Sequence, residues 1–75
     1  MIYGYDRRTV NEQGLREMQE VTFAMPANQI REVAAFLNSA ADKLEGVPSI
    51  QAHEHAPEAL RDAIGCDIIV MLKKT

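Results

Sequence analysis

The stretch Ala27–Glu45, ANQIREVAAFLNSAADKLE, constrains the chain most, because its spacing predicts a long helix that cannot stand alone. Ile30, Val33, Ala34, Leu37, Ala41 and Leu44 recur three and four residues apart, which stacks them on one side of an α-helix. Phe36 and Ala40 widen this stripe on one flank, and Arg31, Glu32, Asn38, Ser39, Asp42, Lys43 and Glu45 fall on the opposite arc. Pro26 stands just ahead, where a missing N–H costs little, and Gly46 with Pro48 supplies the stop. A helix of this kind is marginal by itself in water, so the remaining residues have to supply a surface for its apolar face.

Those residues read mostly as strands. Met1–Arg8 is predicted to be a short strand with Tyr3 and Tyr5 on one face, followed by a turn over Thr9–Gly14. In Leu15–Met25, Val21, Phe23 and Met25 alternate with Thr22 and Ala24, the pattern of a half-buried antiparallel strand. Met18 is out of phase with Val21, so either a bulge resets the alternation or Met18 is exposed or covered by something else. Beyond the long helix, Ser49–His55 alternates again, with Ile50, Ala52 and Glu54 on one face and Gln51, His53 and His55 on the other. Pro57–Ile64 suits a two-turn helix with Leu60 and Ile64 inward and Gly65 as its stop. Asp67–Lys73, DIIVMLK, is apolar on both faces, as expected of a central strand covered on both sides.

The order is therefore ββαβ(α)β. The expected fold class is α+β: a four-stranded mixed sheet with the long helix packed on one face and a right-handed crossover into the third strand. One long helix cannot cover both faces of such a sheet. Met18, Ile69 and Met71 are thus expected on a second face that meets either the short helix or, as the favoured reading, another copy of the chain, giving a homodimer.

Composition narrows the function classes. The 75 residues suit a single domain, 1–75, near the lower limit for a self-sufficient core, with a net stability of roughly 3–5 kcal/mol. One cysteine allows no internal disulfide, which fits a cytoplasmic setting. A net charge of −3 argues against nucleic acid as a partner, and no apolar run approaches the ~20 residues of a membrane span. No signal-peptide core is visible near Met1.

The most specific chemical feature is His53-Glu54-His55. On a strand the two imidazoles point the same way, which is half of a metal site; Glu58, Asp62, Cys66 and Asp67 are the candidate further ligands. Two ligands without a clear third fit two solvent-facing histidines better, so no metal or cofactor is expected. Cys66, between a helix stop and an apolar strand, reads as a small buried residue and not as a nucleophile. His53 with Asp67 is a conceivable acid–base pair, but a chain this short leaves little room for a walled pocket, so no catalytic residues are expected. From Glu45 to Asp67 the acids Glu45, Glu54, Glu58, Asp62 and Asp67 face one base, Arg61. Such a patch beside two histidines suits docking of a basic protein surface.

The order of motifs, Glu32-Val33-Ala34-Ala35-Phe36-Leu37, then His53-Glu54-His55, then Asp67-Ile68-Ile69-Val70, resembles a family of bacterial immunity proteins from polymorphic toxin systems, the one catalogued as family thirty-two. The resemblance covers roughly Glu20 to Leu72. Where that pattern has an acid soon after the second histidine, this chain has Ala56-Pro57, with Glu58 the nearest acid. The resemblance implies a protein that binds and neutralises a cognate toxin, plausibly a nuclease. The expectation is a non-catalytic protein-binding domain that meets its partner through His53, Glu54, His55, Glu58 and Asp62. A metal-binding or sensing module on His53 and His55 is the alternative, and a small enzyme or enzyme subunit the third.

Overall fold

The structure, a computed structural model, describes residues 1–47 and 52–73. It opens with a hairpin of β1 (Ile2–Val10) and β2 (Arg16–Phe23). The turn is made by Asn11, whose side-chain oxygen accepts the N–H groups of Gln13 at 3.0 Å and Leu15 at 2.9 Å. Gly14 completes it at φ 82°, a left-handed conformation that glycine adopts without a Cβ penalty. The strand pairing explains the phase of Met18. Tyr5 pairs with Glu20 and Asp6 with Met18, so Gln19 is the extra residue of a β-bulge. The bulge puts Met18 on the same face as Val21 and Phe23. The Met18 side chain folds over Gly4, where no side chain competes for the space.

The long helix, α1 (Ala27–Glu45), has the limits its spacing dictates. Its buried residues are Val33, Ala40 and Leu44, with Phe36 half-buried. Ile30 and Leu37, expected inside, are exposed at 48% and 41%. The inward face is therefore turned toward the Phe36–Ala40 flank. The cause is the position of the packing partners: α1 meets β3 (His53–His55), α2 (Glu58–Ile64) and β4 (Ile69–Met71), while β1 and β2 pack chiefly on each other.

β3 and β4 form their own antiparallel pair, with His53 opposite Met71, Glu54 opposite Val70 and His55 opposite Ile69. The expected four-stranded sheet is thus replaced by two two-stranded sheets, and the α+β class stands. At the base of the hairpin Ile2 and Met25 pack against the core, and among the described residues its strands do not pair with β3 or β4. The expected third strand over Ser49–His55 is described only from residue 52, and residues 49–51 lie outside the described residues. β4 is shorter than Asp67–Lys73 and is not a central strand. Among the described residues it pairs with β3 alone; Ile68 and Val70 are half-buried, and Ile69, Met71 and Leu72 are exposed. Met18 lies on the hairpin and Ile69 and Met71 on the other sheet, so the three do not share one sheet face.

The core is small. Val33, Ala56, Leu60 and Ile64 form its centre, with Ile2, Met25, Phe36 and Ile68 packed around them. α2 closes with Gly65 at φ 80°, a left-handed C-cap whose N–H donates to the Arg61 carbonyl at 2.9 Å. Among the described residues no helix is long and apolar enough to cross a membrane.

Candidate functional site

β3 alternates as its sequence requires. Glu54 turns half-buried toward the body, while His53 and His55 are exposed and share their face with Met71 and Ile69, their cross-strand neighbours. The two rings meet edge-to-face with centroids 5.0 Å apart. The histidines and the expected self-interface residues of β4 therefore belong to one surface, half imidazole and half aliphatic.

The sequence suggests His53 with Asp67 as an acid–base pair; the contact found is between Asp67 and His55. His55 Nδ1 lies 2.6 Å from the Asp67 carboxylate, whose other oxygen accepts the Ala56 N–H at 3.2 Å. Ala56 N–H is also shared with the Ile68 carbonyl at 2.9 Å, so Asp67 ties the exit of β3 to the entry of β4. With the carboxylate ionised, Nδ1 carries the proton of this bond and donates it. The hydrogen bond from His55 holds the Asp67 carboxyl below the usual carboxylate value of 3.8, aided by the Ala56 N–H and opposed by partial desolvation. A carboxylate with a depressed folded-state pKa stabilises the fold fully above its ordinary value, and that contribution is lost as pH falls through the lower one. Urea midpoints measured from neutral pH down to pH 3 are expected to fall across that acid window in the native chain. In Asp67→Asn the fall is expected to be shallower, with a lower midpoint at neutral pH. A variant whose acid limb matches the native one would show that the His55–Asp67 bond does not contribute.

Beside this pair lies a groove of about 540 Å³ between α1 and the β3–α2 segment. Its floor and walls are apolar, from Ala35, Phe36, Ala40, Pro57, Ala59 and Leu60, and its rim carries Glu32, Ser39, Lys43, Glu54 and His55. The expected site residues divide here. Glu54 and His55 line the groove. Glu58 and Asp62, one turn apart on α2, stand on the side opposite Leu60 and Ile64 and remain exposed outside it. His53 stays on the outer face of β3. Sequence reasoning missed the groove because periodicity within each helix does not say how α1 and α2 pack across residues 46–57; the one signal was the flank of Phe36 and Ala40 beside the main stripe.

Cys66 is exposed, contrary to its expected burial, because the left-handed Gly65 turns the chain outward before β4 begins. Among the described residues no group of three or more His, Cys, Asp or Glu stands close enough to hold a metal ion, so the two histidines lack a third donor. No protein-family model, curated protein or solved structure matches the chain.

Proposed function

We propose that this chain is a non-catalytic protein-binding domain whose partner seats in the groove between α1 and α2. The observation that carries this reading is the make-up of the groove: an apolar floor of Phe36, Ala40 and Leu60 beneath a rim of Glu32, Glu54 and His55. An apolar centre with a polar, charged rim is the anatomy of a protein interface, where a buried anchor side chain supplies affinity and the rim selects the partner. The chain's net negative charge and the acids Glu54, Glu58 and Asp62 favour a partner with a basic surface.

The specific form of the proposal is an immunity-type inhibitor that occludes a toxin domain, drawn from the motif order Glu32–Leu37, His53–His55 and Asp67–Val70. A nuclease toxin, with its basic cleft, has the charge this surface complements. Calorimetric titration with the toxin-domain product of an adjacent gene is expected to give nanomolar binding, weakened at least tenfold by Ala35→Asp or by Ala59→Asp, exposed positions of the groove lining. Micromolar or absent binding removes the toxin reading. Nanomolar binding that both variants leave unchanged removes the groove.

A further inference from the structure

The chain exposes far more surface than its mass calls for. Its accessible area is 5990 Å², whereas a compact 8.4 kDa protein presents about 4,600 Å². The excess, about 1,400 Å², is larger than the ~800 Å² that each partner buries in a standard protein interface. Exposed large apolar side chains lie on both faces of the hairpin, on α1 and on β4; two of these groups adjoin the core outside the groove. One is the hairpin face of Met18, Val21 and Phe23, which continues outward from Ile2 past the point where the core ends. The other is the α1 stripe of Ile30 and Leu37, on the opposite flank of the helix from the groove-lining Ser39 and Lys43. Residues 24–26 alone separate Phe23 from the first turn of α1, so the two surfaces follow one another directly along the chain.

We infer that a second copy of this chain covers both surfaces, making a homodimer joined through β2 and the Ile30–Leu37 stripe. The occupant is argued from the economy of the fold. Among the described residues the buried core rests on six apolar side chains, Val33, Ala40, Leu44, Ala56, Leu60 and Ile64, two of them single methyl groups. A chain this size needs a supplement such as a disulfide, a metal or a second subunit. The single cysteine forbids an internal disulfide, and the described residues bring no three metal donors together. A foreign partner that arrives only at times cannot supply the burial on which the resting fold depends. A second copy is present wherever the first is, and it couples folding to association. The bulge at Gln19 fits this role, since it delivers Met18 to the apolar face and extends that face by one more side chain. This surface is separate from the groove, so each proposal can fail without the other.

The test is the solution mass of the unmodified chain by light scattering at two well-separated concentrations, followed by isotope-filtered NMR on a mixture of labelled and unlabelled protein. The expected mass is twice the 8.4 kDa of the chain, with intermolecular contacts from the methyl groups of Met18, Val21 and Leu37. A mass of one chain at both concentrations overturns the proposal and assigns the surface to a different protein. A dimer whose intermolecular contacts come only from Ile69 and Met71 overturns it equally, and moves the twofold contact to β4. As a further check, Val21→Lys with Leu37→Lys, at positions already exposed in the single chain, is expected to halve the mass while the helical circular dichroism persists. A folded double variant that stays fully dimeric counts against the proposal.

Discussion

Ile64→Ala is expected to remove about 2–5 kcal/mol, the usual effect of emptying a large aliphatic site in a core. Ile64 is 1% exposed and is the largest side chain buried so completely, at the point where α2 meets Val33, Ala56 and Leu60. Surrounding atoms have little freedom to fill the space, because α2 is short and its end is fixed by the Gly65 cap. Against a net stability of roughly 3–5 kcal/mol for a domain of this size, the loss leaves much of the population unfolded at room temperature. Urea denaturation checks this: the midpoint should move sharply down, or the folded baseline should vanish. Glu58→Ala, on the exposed side of the same helix, should change stability by no more than about 0.5 kcal/mol. Equal effects at the two positions would mean that α2 does not present the face described.

The second large effect is expected at Gly4. A Cβ there would run into the Met18 methyl and stand 2.7 Å from the backbone oxygen of Glu20. Met18 can swing away, but the Glu20 carbonyl belongs to β2 and moves only if the strand moves. Gly4→Ala is therefore expected to cost about 1–3 kcal/mol, the usual range for overfilling a packed site. The damage should stay local. Amide shifts of residues 3–5 and 18–22 should change strongly while those of α2 hold still. Unchanged hairpin shifts would show that Met18 absorbs the whole collision and that the strands stand farther apart than described.

How much of this was legible in the sequence depended on the range of the interactions involved. The limits of α1, the inward Leu60 and Ile64 of α2, the Gly65 stop and the alternation of β3 all follow from neighbours within a turn or a few residues, and all are found in the structure. The bulge was one of two readings for Met18, and the pairing of Asp6 with Met18 selects it. What failed was non-local. Nothing in the apolar pattern of 67–73 says whether that segment has neighbours on both sides, and among the described residues it pairs with β3 alone. The same holds for the inward face of α1: Leu37 and Leu44 are equivalent by periodicity, yet Leu44 is 2% exposed and Leu37 41%, because the packing partners reach the helix from one side. In the site, the His-x-His pair and Asp67 were visible as residue types. Which imidazole the carboxylate meets was decided by the β3–β4 register, which sets His55 opposite Ile69 and so closest to the strand's entry.

The packing of the hairpin's base on the core has a consequence for how the chain folds. β1 and β2 are joined by a short turn and find each other locally, as do the turns of α1 and α2, so most of the structure can form from neighbours in sequence on fast timescales. One closure is different in kind. Met1 and Ile2 have to reach Gly65 and Ile68, nearly the whole length of the chain away, before the core is sealed. The entropy of closing a loop grows only slowly with its length, but it has to be met before any reward from packing arrives. Stopped-flow refolding is then expected to slow in Ile2→Ala, at that joint, and to keep its rate in Val10→Ala, at the far end of the hairpin; equal effects would place the rate-limiting contact elsewhere.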